Sequence, residues 1–229
     1  LADNFRILQS YFWQMGITSV HDFDGVLSFA ALKILNEENS LKLRILKNMP
    51  FDYLPDLLHQ GISSGSGDDM VRMGSLKVFA DGALGPQTAS MLSPYENSVS
   101  HGLLLLNEDE LLDIGRKAAL GGWGLAIHAI GDRANHEALK AIARLRNFES
   151  AKSLPHYRHR IEHVQCIDPE DQIMLTKFGV TASVQPIHCT SDMFTADKYW
   201  GKRTQYTYPF ASFDELGVFM VFGSDAPVE

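Results

Sequence analysis

Short apolar runs alternate with segments of helical period about seven times along this chain, and that alternation restricts it to a parallel sheet with crossover helices. The runs are Ile17–Val20, Leu41–Leu46, Ser75–Ala80, Gly124–His128, Arg158–Gln165, Val180–Val184 and Val218–Phe222. Between and before them, apolar residues recur at three- and four-residue spacing. The spacing predicts helices over Asn4–Met15, Val26–Leu35, Tyr53–His59, Glu108–Leu120, Ala134–Arg146, Pro169–Lys177 and Phe210–Leu216. Asn107 and Asp168 stand where helix N-caps belong, each ahead of an acidic first turn. Cys189 to Tyr208 is expected to be a loop, with Phe194, Tyr199, Trp200, Tyr206 and Tyr208 either walling a substrate site or packing on neighbouring protein. There is no GxGxxG and no GxxxxGK[ST], so a nucleotide-binding sheet has no support. Seven repeats with charged strand ends favour a (β/α)8 TIM-type barrel over an open doubly wound sheet. The barrel is expected to be incomplete, with about seven of eight βα units and the first strand missing.

Five runs end in groups that can do chemistry: Lys77, His128, His163, His188 and Asp225. Each has an ordinary structural reading alone: a satisfied polar group, an ion pair, a cap. Together they are the nitrogen and oxygen donors that borderline metals such as zinc take. Barrel strand ends converge on one mouth, so residues far apart in sequence can share an ion there. A rival pattern is His159-Arg-Ile-Glu162-His163, the H-x-x-E-H of inverted zinc peptidases. It requires a helix, and the helical spacing starts only after Asp168. Asp81, Gly82 and Gly85 follow Lys77, and could shape a substrate mouth or make a turn. Asp132 and Arg133 could contact substrate, but Asp132 is expected instead to cap the next helix. Arg160 and Glu162 alternate onto the face opposite His163 and should be paired there.

Four stretches in order resemble the YtcJ-like branch of the amidohydrolase superfamily, amidohydrolase family 3. They are Leu76-Lys77-Val-Phe-Ala-Asp81-Gly82-Ala-Leu-Gly85, His128-Ala-Ile-Gly131-Asp132-Arg133-Ala-Asn135, Arg158-His-Arg-Ile-Glu162-His163-Val-Gln165 and Gly223-Ser-Asp225-Ala-Pro227-Val228. They are similar to that family's fourth, fifth, sixth and eighth strand motifs. The resemblance implies a metal-dependent hydrolase of carbon–nitrogen bonds in amides or cyclic amides, with a metal-activated water as nucleophile and one or two divalent ions, zinc foremost. It implies that Lys77 is carboxylated by CO2 and bridges the metals, and that His128 and His163 ligate the more exposed one. Asp225 is then a ligand of the buried metal and the general base and acid. Asp81, Gly82 and His188 are candidate substrate contacts. The family's H-x-H pair does not occur in this sequence. The expectation is therefore a single catalytic barrel domain over 1–229, lacking the H-x-H strand and the small β-sandwich, and inactive or nearly so by itself.

Composition narrows the partners. A formal charge of -8 with dispersed lysines and arginines argues against nucleic acid. No apolar stretch is long enough to span a bilayer. Two cysteines make no disulfide framework and suggest a reducing, cytoplasmic setting. A small-molecule substrate is expected, and homo-oligomerisation stays open. Two alternatives remain: a non-catalytic barrel that binds metal or ligand in a regulatory role, and an ester or phosphoester hydrolase on the same scaffold.

Overall fold

A computed structural model describes residues 1–228, with helices α1 (Ala2–Gln14), α2 (Val26–Glu37), α3 (Leu54–His59), α4 (Glu108–Leu120), α5 (Asp132–Ala151), α6 (Pro169–Lys177), α7 (Pro186–Ser191), α8 (Met193–Trp200) and α9 (Phe210–Glu215). The strands are β1 (Ser19–Asp22), β2 (Arg44–Pro50), β3 (Val71–Phe79), β4 (Leu125–Ala129), β5 (Arg160–His163), β6 (Thr181–Val184) and β7 (Met220–Phe222). The chain packs as two compact units, Leu1–Lys77 with Leu120–Gly124, and Val78–Ala119 with Leu125 onward.

In the first unit the strands lie in chain order, β1-β2-β3, all parallel. Its core sets Leu32 and Leu35 of α2 against Leu41, Leu43, Ile45 and Val71, with Phe5 and Phe12 of α1 closing one side. Lys47 of β2 is fully buried. Burial pulls its ammonium below the usual lysine range, against the opposing charge of Asp22. Its Nζ donates to Asp22 Oδ2 at 3.0 Å, to Ser28 Oγ at 2.8 Å and to the Asp24 carbonyl. A saturated ammonium of this kind ties the loop after β1 to the start of α2. That loop presents Phe23, whose ring centre lies 5.1 Å from Lys77 Nζ.

In the second unit the order is β4-β5-β6-β7, again parallel. The end of β3 runs beside β4, with the Ala80 N–H donating to the His128 carbonyl at 2.9 Å. Asn107 caps α4 as expected, its Oδ1 accepting from the N–H groups of Asp109 and Glu110, while Glu110 reaches back to the Asn107 N–H. Asp168 caps α6 by accepting from the Glu170 N–H.

Two expectations are corrected. The stretch Cys189–Tyr208 is largely helical, because Pro186 opens α7 and buried Ala196 and Trp200 place one face of α8 on Met91, Tyr95, Ile130 and Cys166. Asp132 does not cap α5. Gly131 holds that position, and the Asp132 carboxylate turns back to accept the Leu92 N–H at 2.7 Å. The H-x-x-E-H stretch enters a strand as expected, with Arg160–His163 forming β5, and His159 just before it is buried with its Nε2 2.8 Å from Glu149 Oε1.

Candidate metal centre

Parallel strands put their carboxyl ends on one edge, and in the second unit that edge gathers imidazoles. His128 is the fourth residue of β4, and His163 is the last of β5. Their rings stand edge to face with centroids 4.6 Å apart. His188, on the first turn of α7, stacks on His163 with centroids 5.8 Å apart and planes 16° from parallel. His188 Nε2 lies 3.8 Å from Asp225 Oδ2. This Nε2 is buried and has no hydrogen-bond partner among the described residues. The second unit thus brings together His128, His163, His188 and Asp225 as a run of neighbours. Lys77 ends the first unit, beneath Phe23.

The hydrogen bonds fix the chemistry of the two central rings. His128 Nε2 lies 2.9 Å from the Gly82 carbonyl, which can only accept. His128 therefore carries its proton on Nε2 and its lone pair on Nδ1. His163 Nδ1 lies 2.8 Å from Gln185 Oε1. The amide of Gln185 is oriented by its own Nε2, which donates to the Ser183 carbonyl at 3.2 Å. So His163 is protonated on Nδ1 and carries its lone pair on Nε2. An imidazole whose far nitrogen donates to a protein oxygen is the form that metal ligands take.

The backbone at this edge is strained. His163, Val164 and Asp225 have φ of 78°, 45° and 58°. A β-branched residue at positive φ is a genuine outlier, and such conformations persist where the surroundings force them, commonly at functional sites.

Asp81, expected to face substrate, is 1% exposed. Its Oδ1 accepts from the Ile130 N–H at 3.0 Å, and its Oδ2 accepts from the Gly131 and Ser90 N–H groups at 2.8 Å each. Burial pushes its carboxyl up to about 7, opposed by those three donors. Gly82 supplies the carbonyl that holds His128. Gly131 is required by close approach, since a Cβ there would lie 2.0 Å from the Ser90 carbonyl oxygen. Arg160 and Glu162 pair with each other, Nε to Oε1 at 2.5 Å. Gln185 was not singled out from the sequence, although its place at the exit of β6 was a signal available there.

The donor set suits a divalent ion: two imidazoles side by side with opposite nitrogens presented, and a carboxylate beyond a third ring. Among the described residues no group of three or more His, Cys, Asp or Glu is close enough to hold a metal. Within that set, His128 and His163 are the two nitrogen donors that adjoin.

The parallel βα order is that of an incomplete TIM-type barrel of the metallo-dependent-hydrolase kind, and comparison with known proteins agrees. A model of the amidohydrolase family matches residues 1–229. The chain belongs to the amidohydrolase family. It is 32% identical over 161 residues to "Putative amidohydrolase YtcJ" of Bacillus subtilis (strain 168), covering 69% of this chain and 29% of that protein. It is 28% identical over 211 residues to Protein LONG AFTER FAR-RED 3 of Arabidopsis thaliana, covering 90% of this chain and 35% of that one. Among solved structures, an uncharacterized metal-dependent hydrolase from Pyrococcus furiosus aligns with a TM-score of 0.87 and 26% identity, covering 98% of this chain and 46% of that chain. One from Pyrococcus horikoshii OT3 aligns at 0.85 and 27%, covering 98% and 44%. The chain thus spans about a third of the curated relatives' length and just under half of the solved ones. Its fold class is the metallo-dependent-hydrolase barrel, of which the described residues hold seven strands.

Proposed function

We propose that this chain carries the exposed-metal half of the active site of a hydrolase that cleaves non-peptide carbon–nitrogen bonds of small amides or cyclic amides. The observation that supports it is the His128–His163 pair, with ring centroids 4.6 Å apart and complementary tautomers. His128 would hold a divalent ion, zinc foremost, through Nδ1, and His163 through Nε2. The resemblance adds Lys77: a lysine amine binds hard cations poorly, whereas its CO2 adduct supplies two oxygens. When bound, the metal supplies Lewis-acid chemistry, making water acidic enough to attack near neutral pH and a carbonyl more electrophilic. Asp225 would serve as general base and acid, accepting a proton from the attacking water and returning one to the departing nitrogen. His188, 3.8 Å from it, confines the carboxylate and contacts substrate. Two unbridged cysteines, Cys166 and Cys189, suit a reducing cytoplasmic setting. The sequence has no H-x-H pair for a buried metal, so the chain by itself is inactive or nearly so.

The test is a panel of amides, cyclic amides, carboxylic esters and phosphoesters, offered to the isolated chain and to the gene product that contains it. The proposal expects the gene product to hydrolyse amides, and Asp225→Asn to lower kcat by about a thousandfold or more, as loss of a general base does. Ester or phosphoester turnover without amide turnover would refute the bond class. Amide turnover by the isolated chain at about 1 s⁻¹ or faster, an ordinary enzymatic rate, would refute its inactivity.

A further inference from the structure

His128 is held by the Gly82 carbonyl, and the loop that carries this carbonyl is tied down by the buried carboxylate of Asp81. Asp81 lies one residue before Gly82, its oxygens 3.0 and 2.8 Å from the Ile130 and Gly131 N–H groups at the exit of β4 and 2.8 Å from the Ser90 N–H. Oδ1 is also 3.6 Å from His128 Nε2. The loop after β3 and the turn after β4 are thereby closed around one anion, and Gly82 presents its carbonyl to His128 Nε2 at 2.9 Å. Gly82 has no room for a side chain, since a Cβ there would lie 2.1 Å from Thr88 Oγ1.

We propose that Asp81 is a positioning residue for His128. Its buried carboxylate locks the Gly82 carbonyl onto Nε2, keeps the imidazole in the Nε2–H form and so presents the Nδ1 lone pair at the strand edge. The proposal rests on the reading of His128 as a metal ligand. The negative charge favours a proton on the nearer nitrogen, and the three backbone donors fix where that charge sits. Asn in place of Asp has the same shape but only one acceptor oxygen, so one of the three N–H groups must face an amide NH2. The local geometry then opens, and the bond from Nε2 to Gly82 loosens.

The experiment is ¹⁵N-histidine NMR of the whole chain at about pH 8, where an imidazole is neutral, together with zinc titration of the same samples. The wild type is expected to show a long-lived Nε2–H on His128 and an unprotonated Nδ1. Asp81→Asn is expected to lose the long-lived proton and to bind zinc about 10- to 100-fold more weakly, the usual cost of losing an outer partner of a ligand. Tyr95→Phe removes a different tie of the same loop, Tyr95 Oη to the Ala89 carbonyl at 2.8 Å. It is expected to leave both readouts unchanged. An Nδ1–H form in the wild type overturns the proposal whether or not Asp81→Asn folds. So does an Asp81→Asn that folds with both readouts intact, or a Tyr95→Phe that moves them equally. Should the wild type show the expected tautomer and Asp81→Asn lose it while neither binds zinc, the positioning role stands and the metal reading fails. Zinc binding that is lost in His128→Ala yet unaffected in Asp81→Asn has the reverse meaning.

Discussion

Gln185 is the residue on which His163 depends. Its amide accepts from His163 Nδ1 and is oriented by the Ser183 carbonyl, so the protonated nitrogen is set by a neighbour one strand over. Gln185→Leu keeps the volume and removes the acceptor. Zinc affinity measured by calorimetry is expected to fall about 10- to 100-fold, with little change in the melting temperature. Gly131 sets a second limit at this scale. Gly131→Ala would place a methyl 2.0 Å from the Ser90 carbonyl oxygen, and backbone on both sides must move. A loss of about 3 kcal/mol in urea unfolding is expected, the upper end for forced overpacking. That His128, His163, His188 and Asp225 would gather at one edge was legible in the sequence, because each stands at the end of a strand run or a few residues beyond it. The contact of Gln185 with His163 and the burial of Asp81 were not, since both depend on how neighbouring strands and loops come together.

Between elements, the chain entering β5 is joined to α5 by a buried ionic cluster away from the His128–His163 pair. Arg146 donates to Glu149 Oε2 and to the carbonyls of Tyr157, Phe178 and Gly179, and Glu149 Oε1 meets His159 Nε2. His159 Nδ1 in turn accepts the Leu125 N–H at the start of β4. Burial holds the His159 imidazole below its ordinary value, ahead of the raising effect of Glu149. Burial pushes the Glu149 carboxyl up, and the bonds from His159 and Arg146 outweigh it and leave it below the usual carboxylate range. Both groups are thus depressed in the folded state. Their stabilisation is complete above the unfolded values, about 6.5 for histidine and 4.3 for glutamate, and is lost as pH falls. Melting temperature is expected to decline from about pH 6.5 downward, and His159→Gln should flatten the upper part of that decline. Glu149→Gln at neutral pH leaves Arg146 without its carboxylate and should cost about 3–5 kcal/mol. An unfolding titration showing under about 1 kcal/mol would mean that the three carbonyls alone satisfy the guanidinium. Strand and helix identity here was legible from periodicity, and so was the strand reading of the H-x-x-E-H stretch. α7 and α8 were not, because their polar and aromatic composition resembles a loop until Ala196 and Trp200 find a core to cover.

For the molecule as a whole, strand order equal to chain order within each unit is what alternating apolar runs and helices lead to, and the family match runs from residue 1 to residue 229. The shorter sequence motifs pointed to one group of neighbours because a parallel fold collects strand ends along one edge. What they could not convey is how those ends touch: that His163 lies between His128 and His188, and that Asp225 reaches His188. His128 and His163 are proposed as paired ligands of one divalent ion. Equilibrium dialysis of the chain against zinc, followed by elemental analysis, tests it most directly. The wild type is expected to retain about one ion per chain, as a single site with imidazole ligands does, and His128→Ala and His163→Ala to retain essentially none. A wild type that retains no zinc, or variants that retain as much as the wild type, would contradict it.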